Sequence, residues 1–339
     1  MEQRMLGRTG VSVSKLCLGA MMFGAWGNPD HDESTRIIHR ALDAGINFID
    51  TADAYSAGES EEIVGKALKG RRDDVVLATK VHFPVDDEPN HRGNSRRWII
   101  TEVENSLRRL QTDWIDLYQI HRPEPHTDID ETLGALSDLV HQGKIRYFGH
   151  SSFPASEIVE AQWTSERRGR ERFRCEQPSY SMLVRALEHD VLPTCRRYGI
   201  GVISYSPLAG GWLSGRWRKE TGQQSSTRSE RLPDRFDLSL PANQRKLDAA
   251  EELALLAERT GITLIEMAIA FVLRHPAITS AIIGPRTMEH LESQLSAAEV
   301  VLSDDVLDRI DEISAPGVTI NSADNGWVQP SLSPQARRR

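Results

Sequence analysis

Residues Gly45 to Leu68 read GINFIDTADAYSAGESEEIVGKAL. The run has the pattern of a buried strand, a polar turn and an amphipathic helix. Asn47 to Ile49 is short, apolar-rich and closed by Asp50. Thr51, Ala52, Asp53, Ala54 and Tyr55 lead away from the strand end. Ser60 stands where it can cap the following helix, with Glu61 and Glu62 in its positive first turn. Asp50 therefore belongs at the carboxyl end of a strand and Tyr55 in the loop after it. In barrels of repeated strand–helix units, chemistry gathers at that end.

A free phenol loses its proton near pH ~10, so it is a weak acid at neutrality unless a cation lowers that value. Lys80 ends the strand pattern Val75-Val76-Leu77-Ala78-Thr79. His121 ends another, Trp114 to Ile120. Each residue has an ordinary reading by itself: a turn-forming aspartate, a packed tyrosine, a solvated lysine. Four such groups at the same end of successive strands point to a shared site.

The rest of the chain is consistent with that site. It has 339 residues, 39% hydrophobic and 27% charged, enough for one barrel with insertions. A net charge of −8 argues against a nucleic-acid surface. Three cysteines, Cys17, Cys175 and Cys195, lack metal-ligand spacing. Such sparse usage suits reduced thiols in a cytoplasm, with Cys17 and Cys175 buried in strand patterns. No apolar run approaches ~18 residues, and MEQRMLGRTG is not a signal-peptide pattern. The closing Arg337-Arg338-Arg339 reads as a frayed tail.

In order, residues 1 to 15 read as a hairpin around Gly-Arg-Thr-Gly, and Leu16 to Gly19 as the first barrel strand. The loop Ala20 to Asp30 carries Met21, Met22, Phe23 and Trp26, and lining a pocket is its favoured role. Helical spacing marks Asp32 to Ala44, Ser95 to Leu110, Ile129 to Val140, Ser156 to Arg167 and Asp190 to Tyr198. Further strands fall at Lys144 to Phe148, Arg174 to Gln177, Gly201 to Tyr205 and Thr279 to Ile283. The loop His82 to Asn94 has no regular pattern, and five arginines in Arg167 to Arg174 suggest a solvated helix end. Gly210 to Leu240 is too long for an ordinary connection and reads as a functional loop. Asn243 to Arg259, Thr263 to Arg274, Met288 to Ala297 and Ser303 to Ile313 are helical, and Ala315 to Ser333 irregular. Eight strand–helix units without a linker predict one α/β domain over 1–339: a (β/α)8 TIM barrel with an N-terminal hairpin, a long loop after the seventh strand and extra C-terminal helices. A doubly wound open sheet is the alternative, weakened because no G-x-G-x-x-G follows the first strand. The tail from about 330 to 339 is expected to fray.

GINFIDTADAY, LATK, RRLQTDWIDLYQIHRP, GKIRYFGHSS, CEQPSY, SYSPLAGGWLSGR and IIGPRTMEHL occur in that order. Together they resemble the aldo-keto reductase family over nearly the whole chain. In particular they are similar to the branch holding potassium-channel β subunits and many bacterial reductases. The resemblance implies hydride transfer from a nicotinamide cofactor to an aldehyde or ketone, with Asp50, Tyr55, Lys80 and His121 as the catalytic four. Tyr55 would donate the proton, Lys80 lower its pKa, Asp50 hold Lys80, and His121 orient the carbonyl. It further implies a cofactor site of Gly19, Met22 and Asp50, with Ser151, Ser152 and Gln177 for the nicotinamide amide and Tyr205 for ring stacking. Ser206, Pro207, Leu208, Ala209 and Gly210 would approach the pyrophosphate, with Arg216 and Arg228 as cations. Gly284, Arg286, His290 and Gln294 would hold the adenosine end. There the chain departs from the family: His290 stands where a Gln or Arg is usual, and Ser293-Gln294 where Glu-Asn is usual. NADPH is the expected cofactor, with NADH as the alternative. Trp26, His82 and Phe83, with Trp212 and Trp327, are the substrate-pocket candidates. The expected partner is a small carbonyl compound, neither nucleic acid nor membrane, and a homo-oligomer is left open. Two other functions fit the resemblance: reduction of a nucleotide-sugar ketone, and a weakly catalytic regulatory subunit. His121 bears on the second, because the channel subunits depart from His there.

Overall fold

The computed structural model describes residues 1–222, 224, 227–327 and 329–338. Strands β1 (Gln3–Met5) and β2 (Ser12–Ser14) form an antiparallel hairpin. The strands β3 (Leu16–Gly19), β4 (Phe48–Asp50), β5 (Val76–Val81), β6 (Ile115–Ile120), β7 (Ile145–Ser151), β8 (Cys175–Gln177), β9 (Gly201–Ser204) and β10 (Ile278–Ile283) follow. They close into a barrel in chain order, β10 pairing with β3, and every neighbouring pair is parallel. Closure rules out the open doubly wound sheet.

Around the barrel lie α1 (His31–Asp43), α2 (Glu59–Ala67), α3 (Arg96–Leu110), α4 (Ile129–His141), α5 (Ala155–Arg168) and α6 (Val191–Tyr198). Between β9 and β10 the chain adds α7 (Thr227–Arg231), α8 (Pro241–Thr260) and α9 (Leu264–Arg274). After β10 come α10 (Met288–Leu295), α11 (Asp304–Ile313) and α12 (Pro334–Arg337). Short polar side chains start several helices: Asp30, Ser95, Asp128, Asp190 and Ser303 each accept from a first-turn N–H. Thr263 and Glu266 form a reciprocal capping box on α9.

The barrel interior is layered. Cys17, Phe48, Ala78, Leu117, Cys175, Ile203 and Ile282 form one apolar layer, and Leu6 and Val13 of the hairpin pack into it. Successive inward residues are two apart along a strand. Two positions beyond Phe48, Ala78, Leu117 and Cys175 stand Asp50, Lys80, Gln119 and Gln177. The apolar floor thus carries a polar layer directly toward the mouth.

Two expectations, the Ser60 cap and the irregular tail, need correction. Ser60 does not cap α2: Ser56 and Ala57 turn left-handed, Gly58 occupies the cap with φ +93°, and the helix starts at Glu59. The Ser60 hydroxyl instead donates to Ala20 O at 2.8 Å and shares a hydrogen bond with Thr51 Oγ1. Glu61 does lie in the first turn, as expected, and there it is fully buried and paired with Arg109. The tail is not structureless: 3-10 turns occupy Ser322–Asp324 and Pro330–Leu332, and α12 is capped by Ser333. Val328 and Arg339 lie outside the described residues, as do Gln223, Ser225 and Ser226 of the long loop.

Gly65 sits where α2 meets α3. A methyl group there would come 2.5 Å from Leu110 O and 2.6 Å from its carbonyl carbon. Alanine ordinarily gains ~1 kcal/mol over glycine inside a helix. Here overpacking against backbone outweighs that, so Gly65→Ala should destabilise the fold by about 1–3 kcal/mol in urea unfolding. A gain in stability would show that the two helices can separate freely.

Candidate active site

The register of β4, β5 and β6 brings the four expected residues together. Lys80, fully buried, donates to Asp50 Oδ2 at 2.6 Å, to Thr51 O at 2.7 Å and to Tyr55 Oη at 3.2 Å. Its ammonium also lies 4.8 Å from the Tyr55 ring centroid. Asp50 Oδ1 accepts from Gln177 Nε2 at 2.8 Å and from Gln119 Nε2 at 3.1 Å. His121 packs edge-on against Tyr55, with ring centroids 5.7 Å apart.

The electrostatics differ from the sequence expectation at one point. Burial raises the Tyr55 pKa above its ordinary value, and this outweighs the lowering by Lys80. Lys80 does pull in the expected direction, but the phenol remains firmly protonated. Burial also opposes the charge on Lys80, yet Asp50 and Tyr55 override it and leave the ammonium pKa raised. Burial, Lys80 and Arg122 together push His121 well below the usual imidazole range, so it is neutral. Its Nδ1 is buried without a partner among the described residues.

The mouth above Tyr55 is aromatic. Trp26 lies 6.0 Å from Tyr55 between centroids, Phe83 4.7 Å from His121, and His82 5.3 Å from Phe83. Arg231 of α7 lies 4.7 Å over Trp26, so the long loop reaches across the mouth. Trp212 is elsewhere. It is 0% exposed and stacked on Trp217 at 4.0 Å within the loop's own core, which removes it from the pocket candidates. Trp327 is half-buried; its neighbour Gly326 abuts Tyr205 and Ser152, where a methyl group would come 2.0 Å from Tyr205 Oη.

The positions expected to hold a cofactor follow the same rim. Ser151 Oγ donates to Gln177 O at 2.8 Å, and Ser152 Oγ lies 3.3 Å from Tyr205 Oη. Gln177 Nε2 is committed to Asp50 and Gln119, which leaves its Oε1 without a bond among the described residues. Gly19 is a packing glycine: a methyl group there would meet Ile282 Cγ2 at 2.7 Å. Met22 lies in the first loop, which Asn28 ties to Arg286 O at 3.0 Å.

Pro207 and Leu208 continue the loop that follows, where Ser206, Ala209, Gly210 and Gly211 all have positive φ. Such small residues let backbone N–H groups approach an anion. Arg228 lies against Gly210, and burial, then Arg235 and Arg231, lower its pKa. A half-buried guanidinium among cations, with no acid partner among the described residues, fits a site built for an anion. Arg216 and Arg286 are exposed and join no ion pair among the described residues. With burial, both depress His290 at the start of α10, which keeps its imidazole neutral beside the two guanidinium charges. Gln294 Nε2 turns back to His290 O at 2.7 Å, and Gly284 is open, with nothing within 4 Å of a methyl position. These features fit a nicotinamide dinucleotide.

Two contributors are absent from the sequence reading. Gln119 has the spacing of an inward residue but no charge to draw notice. Arg122 donates to His121 O and, at 3.2 Å, to Ser151 Oγ.

The chain belongs to the aldo/keto reductase family, whose model matches residues 15–315. That places it among oxidoreductases of carbonyl groups that use a nicotinamide cofactor. Similar proteins include the oxidoreductase YrpG of Bacillus subtilis, 41% identical over 92% of this chain and 96% of its own. Versiconal hemiacetal acetate reductase of Aspergillus parasiticus is 34% identical, over 93% and 98%. A probable voltage-gated potassium channel β subunit of Arabidopsis thaliana is also 34% identical, over 92% and 96%. No described helix is long and apolar enough to cross a membrane.

Lys80→Met would leave Asp50 charged and buried without its cation. Chemical unfolding should show a loss of about 3–5 kcal/mol. A loss under ~1 kcal/mol would mean that Gln119 and Gln177 alone satisfy the carboxylate.

Proposed function

We propose that the protein reduces an aldehyde or ketone to the alcohol at the expense of NADPH, with Tyr55 as general acid. The observation that carries this reading is the Tyr55 hydroxyl, 3.2 Å from a buried ammonium at the floor of an aromatic mouth. When bound, the dinucleotide supplies the hydride. Tyr55 meets the negative charge growing on the carbonyl oxygen and passes its proton there. Lys80 stabilises the phenolate that remains, and Asp50, fixed by Gln119 and Gln177, fixes Lys80. His121, neutral and held through its own carbonyl by Arg122, orients the carbonyl group. Trp26 and Phe83 exclude water and favour an apolar substrate body.

Ser151, Ser152, Gln177 and Tyr205 would hold the nicotinamide, and the loop Ser206 to Gly210 with Arg228 the pyrophosphate. Arg216 and Arg286 favour a 2′-phosphate, which carries close to two negative charges. The Aspergillus relative is named a reductase, which supports reduction as the activity, and nucleotide-sugar ketones belong to the same chemical class as other carbonyl substrates. The regulatory-subunit reading is disfavoured by His121. One working unit over 1–339 in the cytoplasm is part of this proposal.

Tyr55→Phe should lower kcat for NADPH-dependent aldehyde reduction by ~10²-fold or more, with cofactor affinity nearly unchanged. Wild-type turnover in that variant would remove Tyr55 from the acid role. Arg286→Ala should weaken NADPH about ten- to a hundredfold in fluorescence titration at neutral pH and leave NADH nearly unchanged. His290→Ala should do little there, since His290 is held neutral. Equal weakening of both cofactors would place Arg286 on their shared half.

A further inference from the structure

Charge is buried again at a place the reaction does not use. Asp324, in the turn Ser322–Asp324, is only 3% exposed yet lies between two cations. Oδ1 accepts from Arg235 Nε at 2.6 Å, and Oδ2 lies 2.7 Å from Lys246 Nζ. Lys246, fully buried on α8, also donates to Arg235 O at 2.9 Å and sits 4.5 Å over the Trp212 ring. Burial holds its pKa down to about 8 against the pull of Asp324, so the ammonium is charged at neutral pH. Beside this triad, Asn321 Nδ2 donates to Asn243 Oδ1 at 2.7 Å and to Asp234 O at 3.1 Å.

The partners come from different parts of the molecule. Arg235 and Phe236 belong to the long loop, and Phe236 lies against Gly210, 3.3 Å from its methyl position. Lys246 and Asn243 belong to α8. Asp324 belongs to the C-terminal segment, which two residues later brings Gly326 against Tyr205 and Ser152. Separating the segment from the loop would leave a carboxylate and an ammonium buried and unpaired, which is strongly unfavourable. The two pieces therefore move together.

We propose that Asp324 is a positioning residue that latches residues 321–327 to residues 228–240, so that seating the loop on the dinucleotide also sets the pocket wall at Tyr205 and Ser152. This rests on the dinucleotide reading above. Coupling between sites is reciprocal, so a carbonyl ligand that orders the segment also tightens the hold on the cofactor.

Hydrogen exchange on the full chain, wild type and Asp324→Asn, with and without NADP+, tests it. Without nucleotide, the variant should exchange faster in both 228–240 and 318–327, with the barrel strands unchanged; loosening of 318–327 alone overturns the latch. In wild type, NADP+ should protect both segments. Protection of the loop alone overturns the latch, and this arm stands even if the variant does not fold. Protection of neither, with both loosened in the variant, overturns the transmission by removing its premise, and marks the dinucleotide reading as the part that failed. In kinetics, Asp324→Asn should raise KM for both NADPH and the carbonyl by about tenfold. The pH profile of kcat, set at Tyr55, should not move, and Asp324→Glu should restore part of the loss. A rise in only one KM also overturns the proposal.

Discussion

The ion pair between Lys80 and Asp50 is the constraint on which the site depends. Two charges inside a barrel lose their hydration, and attraction alone seldom offsets that loss. Here hydrogen bonds make up the difference. Asp50 accepts from Lys80, Gln119 and Gln177, and Lys80 donates to Asp50, Thr51 O and Tyr55. The phenol is thereby the one partner of the ammonium that also faces the mouth. Burial keeps its proton on, which suits an acid waiting for a carbonyl oxygen to gain charge.

The barrel makes this placement almost unavoidable. An apolar layer from Cys17 to Ile282 is sealed below by Leu6 and Val13. The next inward positions then carry Asp50, Lys80, Gln119 and Gln177 on four strands. A one-residue slip in any of them would turn its polar group outward toward the helices. The loops above are assembled from distant parts of the chain: Trp26 from the first, Phe83 after β5, Arg231 from α7, and Gly326 from the C-terminal segment.

Much of this was legible in the sequence, and what was not has identifiable causes. Strand patterns ending in Asp50, Lys80 and His121 are local signals, and the closed parallel barrel follows from their repetition. Ser60 misled because the cap position depends on two left-handed residues, Ser56 and Ala57, that composition does not announce. Glu61 was placed in the first turn, but its burial against Arg109 was not legible because that partner is 48 positions away. Trp212 read as a pocket residue because an aromatic in a glycine-rich loop gives no hint of burial; its stack with Trp217 and Phe236 is tertiary. Gln119 and Asp324 went unnoticed for the same reason: a neutral amide and a tail carboxylate gain meaning only from partners on other elements. Lys80 was assigned the right sign of influence on Tyr55, but the opposing desolvation is invisible without the packed barrel.

The central claim is that Tyr55 is held as a half-buried, protonated acid beside a charged lysine. Its most direct test is an ultraviolet difference titration of tyrosinate, wild type against Tyr55→Phe. No tyrosinate signal assignable to Tyr55 should develop below pH ~10, the ordinary phenol value. A signal that titrates near neutral pH in wild type and vanishes in Tyr55→Phe would contradict the account.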